Sequence, residues 1–181
     1  GRSYGVRLSY VHEKSPLGTG GAIKNDEPLI DGAPLICNGD IFMDLPVRPL
    51  VRFHRQKKAS VTIALTRVED PRAYGLIQSD RTGRIQRFGE KPSRKDVVCH
   101  TINAGAYVFE PEVFSQIPPG VVYSVERQLF PQLLERKWPL YAKVFDGYWL
   151  DIGTVAKYAQ VHSDLILGKY RGILPAREIL E

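Results

Sequence analysis

Long apolar runs are missing from this 181-residue chain: the longest, such as Ala33 to Cys37 and Asp164 to Leu167, are broken within a few residues by charge or glycine. They fall far short of the about 20 residues that span a bilayer, so no transmembrane helix and no membrane partner are expected. The chain opens on Gly1 without the basic, apolar and small-residue series of a signal peptide. Two cysteines are too few for a disulfide framework. Cys37, inside an apolar run, reads as a small buried hydrophobe, Cys99 lies in a polar stretch, and a reducing, cytoplasmic setting fits both. His12, His54, His100 and His162 lack the spacing of a metal site or catalytic relay, and Ser124 has no evident base partner. Zinc spacings, RNA-binding aromatic motifs and heptads are also missing, so no nucleic-acid partner is expected. The excess of positive charge has a local source in Arg48, Arg52, His54, Arg55, Lys57 and Lys58, which could attract phosphates or nucleic acid but reads first as a solvated helix face.

The rest is the composition of a globular domain, 43% hydrophobic and 25% charged, which excludes disorder and collagen. A single domain of this length buries roughly 70% of its unfolded surface and needs no metal or disulfide staple. Near-alternation over Gly5 to Val11 predicts a strand, and the Gly-rich turn Pro16 to Gly21 leads into a short helix at Ala22 to Asn25. Ala33 to Cys37 reads as a fully buried strand ending at the turn Asn38-Gly39-Asp40. A helix is expected over Pro46 to Lys58, then a strand over Ser60 to Val68. Leu76 to Ser79 and Arg84 to Phe88 flank a Gly-containing loop and predict a hairpin. Thr101 to Phe109 and Leu140 to Phe145 read as strands, Pro111 to Ile117 as a short helix, and Ser124 to Glu135 as a helix bent or restarted near Pro131. Thr154 can cap a last helix, with Val155, Tyr158, Ala159, His162, Leu165 and Ile166 at helical spacing and Gly168 as its stop. This alternation argues for an α/β layered fold with a mostly parallel sheet and one antiparallel hairpin, in which ligands bind beyond the strands' carboxyl ends.

Four segments are candidates for chemistry, Pro16 to Gly21, Asn38-Gly39-Asp40, Gly89 to Pro92 and Gly147 to Thr154, and none is specific alone. The Gly-rich loop Pro16 to Gly21 offers backbone N–H groups for close approach to a ligand, though it lacks the ending of a P-loop. Asp40 and Asp151 each follow an apolar stretch and precede a turn or helix; from neighbouring strand ends they would suit Mg²⁺, which takes hard oxygen ligands beside substrate phosphates. Taken singly, each also reads as turn or cap chemistry. Lys91, freed from the ladder by Pro92, is a compact charge for a phosphate or one half of a surface pair with Glu90. Asn103, inside an apolar strand, needs backbone or ligand hydroxyls as partners.

In order, Glu13-Lys14-Ser15-Pro16-Leu17-Gly18-Thr19-Gly20-Gly21-Ala22, Asn38-Gly39-Asp40, Tyr74-Gly75, Glu90-Lys91-Pro92, Asn103 to Phe109, Ser124-Val125-Glu126 with Phe130-Pro131, and Gly147 to Thr154 resemble the motifs of the sugar-1-phosphate nucleotidylyltransferases. The set covers residues 5 to about 168, and its order makes it specific. The resemblance implies a Rossmann-like, GT-A-like nucleotidyltransferase fold with a mixed sheet, a domain over 1–168 and a C-terminal tail over 169–181. It implies a reaction in which a sugar 1-phosphate displaces pyrophosphate from a nucleoside triphosphate. Asp40 and Asp151 would hold Mg²⁺; Lys91 would bind the sugar's phosphate and share the catalytic role; Gly75, Glu90, Asn103 and Glu126 would contact the sugar. Leu17, Gly18, Thr19 and Asp40 would lie on the nucleotide side. Residues 18 to 23 and 146 to 154 look closest to the guanylyltransferases for heptose or mannose 1-phosphate. The family's opening strand and its Gly-rich phosphate loop have no match here. The expectation is therefore a domain lacking its N-terminal strands, inactive alone unless a homo-oligomer or a complementing N-terminal segment supplies that half. A non-catalytic sugar-phosphate-binding or regulatory subunit is the alternative. A metal-dependent glycosyltransferase is disfavoured, because Asp40 to Asp44 does not supply Asp-x-Asp.

Overall fold

The computed structural model describes residues 1, 5–71, 74–89, 100–170 and 172. Its elements are α1 (Gly18–Asp26), β1 (Leu35–Cys37), β2 (Ile41–Met43), α2 (Val47–Lys57), β3 (Val61–Arg67), β4 (Leu76–Ser79), β5 (Ile85–Gly89), β6 (Thr101–Phe109), α3 (Phe130–Glu135), β7 (Leu140–Phe145), β8 (Trp149–Asp151) and α4 (Val155–Ile166). Short 3₁₀ turns occupy Glu27–Leu29 and Pro111–Gln116, and one π turn occupies Val125–Leu129. No helix among the described residues is long and apolar enough to cross a membrane.

The main sheet runs β5-β4-β6-β3-β7, with β1 also on β6. β3 follows one edge of β6 from Val61 opposite Phe109 to Arg67 opposite Thr101. The other edge is divided: Ile102 pairs with Leu76 of β4, while Ala106 to Val108 pair with β1. The gap between those two short partners faces residues 103–105. The α/β class and the mixed sheet are as expected, but the mostly parallel character narrows to one ladder among the described residues, β3 with β7; β6 lies antiparallel to β1, β3 and β4. The physical reason is β6 itself, which enters after the hairpin and reverses direction between its neighbours.

Side chains alternate across this sheet as the pleat requires. Ile63, Leu65, Tyr107 and Phe109 pack with Phe114, Leu129, Phe130 and Leu133 in one cluster, whereas Ala64, Ala104, Ala106 and Val108 meet Leu50 of α2 in another. His54, one turn after Leu50, is buried beneath α2, with Nδ1 2.8 Å from Thr62 Oγ1 and Nε2 3.1 Å from Glu110 Oε1. Arg48, Arg52, Arg55 and Lys58 are exposed as the expected solvated face, but His54, counted with them, is not part of it, because it falls on the side of α2 that packs on the sheet. At the outer end of the sheet, Ala142 donates its N–H to the Gly83 carbonyl at 2.7 Å and Arg84 forms a bridge with Tyr141, so the sheet curls until β5 reaches β7.

Several expectations need correcting. Residues 5–11 form no strand among the described residues, and Val6, Leu8 and Tyr10 are exposed; alternation alone gave no partner on which to bury them. The turn at Pro16 to Gly21 is already helical from Gly18. β1 is not fully buried, and Cys37 is exposed, because β1 has a described neighbour on one edge only. The last helix forms with Thr154 capping the Lys157 N–H at 3.3 Å, yet its apolar stripe is outward: Val155 and Ile166 are exposed while Val161 and Asp164 are buried. Pro131 does mark a restart, from the π turn into α3.

Asp164 fastens α4 to the body by accepting from Tyr148 Oη at 2.8 Å and pairing with Lys169 Nζ at 2.7 Å. The Lys169 ammonium, then the Tyr148 hydroxyl, hold its carboxyl below the ordinary value. A depressed carboxylate pKa contributes stability above the unfolded-state value, about 3.9, and loses it as pH falls through the folded-state value. Urea midpoints of wild type and Asp164→Asn should therefore differ at neutral pH and converge in strong acid; a difference independent of pH would show that the charge contributes nothing.

Candidate active site

The site is built on an irregularity in β6. Between Ile63 opposite Tyr107 and Leu65 opposite Asn103 the register slips, leaving Ala104 to Ala106 bulged away from β3. A bulge frees backbone groups that a regular ladder would satisfy. Here each goes to a neighbouring side chain or strand: Ala104 O accepts from Trp149 Nε1 at 3.0 Å, Gly105 O from the Asn38 N–H at 2.9 Å, and Asn103 Oδ1 accepts the Gly105 N–H at 2.9 Å. Gly105 has φ +75°, and a Cβ there would strike Ile41 and lie 3.0 Å from Asn38 Nδ2, so this position requires glycine.

Beside the bulge opens a cavity of about 340 Å³, lined by residues of every surrounding element, including Asn38, Asp40, Gly75, Asn103, Glu126 and Asp151. β2 and β8 form a separate two-stranded ribbon with Ile41 opposite Asp151, and the Ile152 N–H donates to Asp40 O at 2.8 Å. That ribbon brings the two aspartates together although they are far apart in sequence. A Cβ at Gly153 would lie 3.1 Å from Asp151 Oδ1 and 3.9 Å from Asp40 Oδ2, so both carboxylates lie beside one glycine. Asp151 Oδ1 accepts the Gly153 N–H at 2.9 Å and Oδ2 pairs with Lys157 Nζ at 3.2 Å. The Gly153 N–H, with the Lys157 ammonium behind it, holds the Asp151 carboxyl below its ordinary value. Burial opposes the Lys157 charge, but Asp151 and the Tyr74 hydroxyl outweigh it and raise its pKa.

Glu126 lies opposite, at the start of the π turn. Its Oε1 accepts from Tyr107 Oη at 2.9 Å; its Oε2 accepts from Thr19 Oγ1 at 3.1 Å and Ser124 Oγ at 3.2 Å. Leu17, Gly18 and Thr19 do not line the cavity; Thr19 reaches it through Glu126 alone, and the segment is held by Tyr123, whose N–H donates to Leu17 O at 2.8 Å and whose carbonyl accepts the Gly20 N–H at 2.8 Å. Gly18, at φ +71°, leaves no room for a Cβ against the Tyr123 carbonyl, which it would meet at 2.8 Å. Gly75 lines the cavity wall and Gly89, at the end of β5, lies on the same wall. Glu90 and Lys91 lie outside the described residues.

Sequence reasoning included Tyr74, Tyr107 and Trp149 in its motifs without giving them a role, and it missed Lys157. Tyr74 and Trp149 line the cavity as an edge-to-face pair at 5.6 Å. Tyr107, 1% exposed, donates to Glu126 and accepts from Asn103 Nδ2 at 2.7 Å; burial, then the Glu126 charge, pushes its phenol well above its ordinary value. Its signal was an aromatic carrying a hydroxyl on an otherwise apolar face, and a buried hydroxyl needs a partner.

With two carboxylates at one end and polar side chains along an aromatic-walled cavity, the arrangement suits a ligand carrying both phosphate and hydroxyl groups. The family model described as nucleotidyl transferase matches residues 1–167. The mannose-1-phosphate guanylyltransferase of Mycobacterium tuberculosis is 40% identical over 178 residues, 97% of this chain and 48% of the relative. The UTP--glucose-1-phosphate uridylyltransferase of Synechocystis is 35% identical over 193 residues, 99% of this chain and 47% of the relative. This chain thus spans about half the length of these curated relatives. The solved structure of HddC from Yersinia pseudotuberculosis complexed with GMP-PN superposes with a TM-score of 0.70 at 26% identity, covering 84% of this chain and 64% of that one. Sequence and architecture converge on one assignment: the chain belongs to the nucleotidyl transferase family.

Proposed function

We propose that this chain carries the site of a sugar-1-phosphate nucleotidylyltransferase, over residues 1–168, that transfers a nucleoside monophosphate, GMP by preference, from the triphosphate to a hexose or heptose 1-phosphate. The observation that carries this reading is the meeting of Asp40 and Asp151 at one end of a cavity whose other walls hold Gly75, Asn103 and Glu126. The relatives named for mannose 1-phosphate and guanylyl transfer favour the sugar and the base.

In the reaction an oxygen of the sugar phosphate bonds to the α-phosphorus, the bond from that phosphorus to the β-bridging oxygen breaks, and pyrophosphate departs with the electron pair. No proton needs to move, so the demand on the protein is placement and charge neutralisation. Asp40 and Asp151 fit Mg²⁺: two hard carboxylates converge, one held ionised, with phosphate oxygens to complete the shell. When bound, the ion neutralises and orients the phosphates. Leu17, Gly18 and Thr19 lie on the nucleotide side, Asn103, Glu126 and the Gly75 backbone hold the sugar, and Glu90 and Lys91 serve its hydroxyls and phosphate. The use of nucleoside triphosphates suits the cytoplasm.

The test is Mg²⁺-dependent pyrophosphate release across a panel of nucleoside triphosphates and sugar 1-phosphates, with calorimetric binding of each sugar 1-phosphate. Where release occurs, from the chain alone or with a complementing N-terminal segment, GTP with mannose or heptose 1-phosphate should release most. A chain that neither releases pyrophosphate nor binds any sugar 1-phosphate would overturn the proposal; binding without release would favour the non-catalytic subunit.

A further inference from the structure

We infer that Tyr107 is a positioning residue that leaves Glu126 a single acceptor position and Asn103 a single donor for the sugar, so that the pair reads one hydroxyl position; this rests on the reading above. The argument follows the direction of each hydrogen bond. The Gly105 N–H can only donate, so its partner on Asn103 is Oδ1 and the amide's Nδ2 faces Tyr107 Oη. Tyr107 therefore accepts from Asn103 and sends its own proton to Glu126 Oε1. The Val125 N–H donates to Thr19 Oγ1 at 3.0 Å and the Arg127 N–H to Ser124 Oγ at 3.2 Å, which turns both of those hydroxyl protons toward Glu126 Oε2.

Three hydroxyls, each oriented by an N–H behind it, thus donate to one carboxylate. A carboxylate has about four acceptor positions, so Glu126 keeps one. Asn103 likewise has spent its Oδ1 on Gly105 and one Nδ2 hydrogen on Tyr107, and keeps one N–H. Both residues line the cavity. A ligand hydroxyl there can donate to Glu126 and accept from Asn103, and a group lacking that hydroxyl leaves both unpaired. Tyr107 is the member common to both residues, and its ring is fixed against Phe109 and Phe130 at centroid separations of 6.0 and 5.4 Å.

Tyr107→Phe keeps the ring and removes the hydroxyl. Calorimetric affinities would be measured for mannose 1-phosphate and its singly deoxygenated analogues, on the wild-type chain and the variant, with urea midpoints as the check on folding. Wild type should disfavour one analogue by about tenfold or more, the usual effect of losing a hydrogen bond to a charged group. In the variant that discrimination should shrink to about threefold while discrimination at other positions stays. Tyr107→Leu, which also removes the hydroxyl and leaves Asn103 and Glu126 in place, should relax the same position and serves if the first variant does not fold. Undiminished discrimination in the variants would overturn the role of Tyr107 alone. Failure of wild type to bind any sugar 1-phosphate would remove the parent reading and this one together.

Discussion

In the intact enzyme, Asp151→Asn is expected to lower pyrophosphate release by about two to three orders of magnitude, the size of effect seen when one electrostatic contact to a transferring group is lost. The substitution is isosteric: the amide oxygen can still accept the Gly153 N–H now at 2.9 Å, so the turn into α4 survives. What disappears is the negative charge that faces Lys157 and, with Asp40, makes the end of the cavity anionic. The urea midpoint should therefore stay within about 0.5 kcal/mol of wild type, as for most partly exposed substitutions. A Mg²⁺ titration in the presence of GTP supplies a readout separate from turnover, and affinity should fall in the variant. Turnover and Mg²⁺ affinity both matching wild type would exclude Asp151 from the metal role.

Gly105→Ala should produce the largest loss of stability. An alanine at φ +75° costs about 1–2 kcal/mol from its own backbone. Its Cβ must also displace Ile41 and Asn38, and overpacking of that kind adds about 1–3 kcal/mol. Together these take a large share of the about 5–15 kcal/mol that holds a domain folded. Gly120→Ala is the matched control: φ is +70° and nothing lies within 4 Å of its Cβ, so only the backbone cost applies. Urea denaturation of the two variants separates conformation from crowding. Equal losses would mean that the bulge yields and that Gly105 is not the constraint described.

The elements most legible in the sequence are those defined by local chemistry. β6 spans the expected Thr101 to Phe109, the hairpin falls where its Gly-containing loop put it, and Thr154 caps α4. Elements that depend on a distant partner were not legible. The ribbon of β2 and β8 joins two three-residue segments, too short for a periodic signal, and only that pairing brings Asp40 beside Asp151. The stripe on α4 misled because helical spacing tells which residues share a face and not whether anything covers it. Within the site, Asn103 was readable as a polar residue in an apolar strand. Tyr107, four positions on, was given no role there, because its ring is core and its hydroxyl alone belongs to the site.

The curl that carries β5 round to β7 bears on how the molecule behaves in company. An open sheet ends in two strands whose unpaired amides can template another chain. Here the Gly83 carbonyl and the Arg84 bridge occupy β7 near Tyr141 and Ala142, so those two outer strands cap each other. β1, at Leu35 to Cys37, has a described partner on one edge only, and exposed Leu35 and Cys37 flank its other edge. Among the described residues that three-residue edge, beside the Asn38-Gly39-Asp40 turn, is thus open to an added strand at a place removed from the hairpin that walls the cavity.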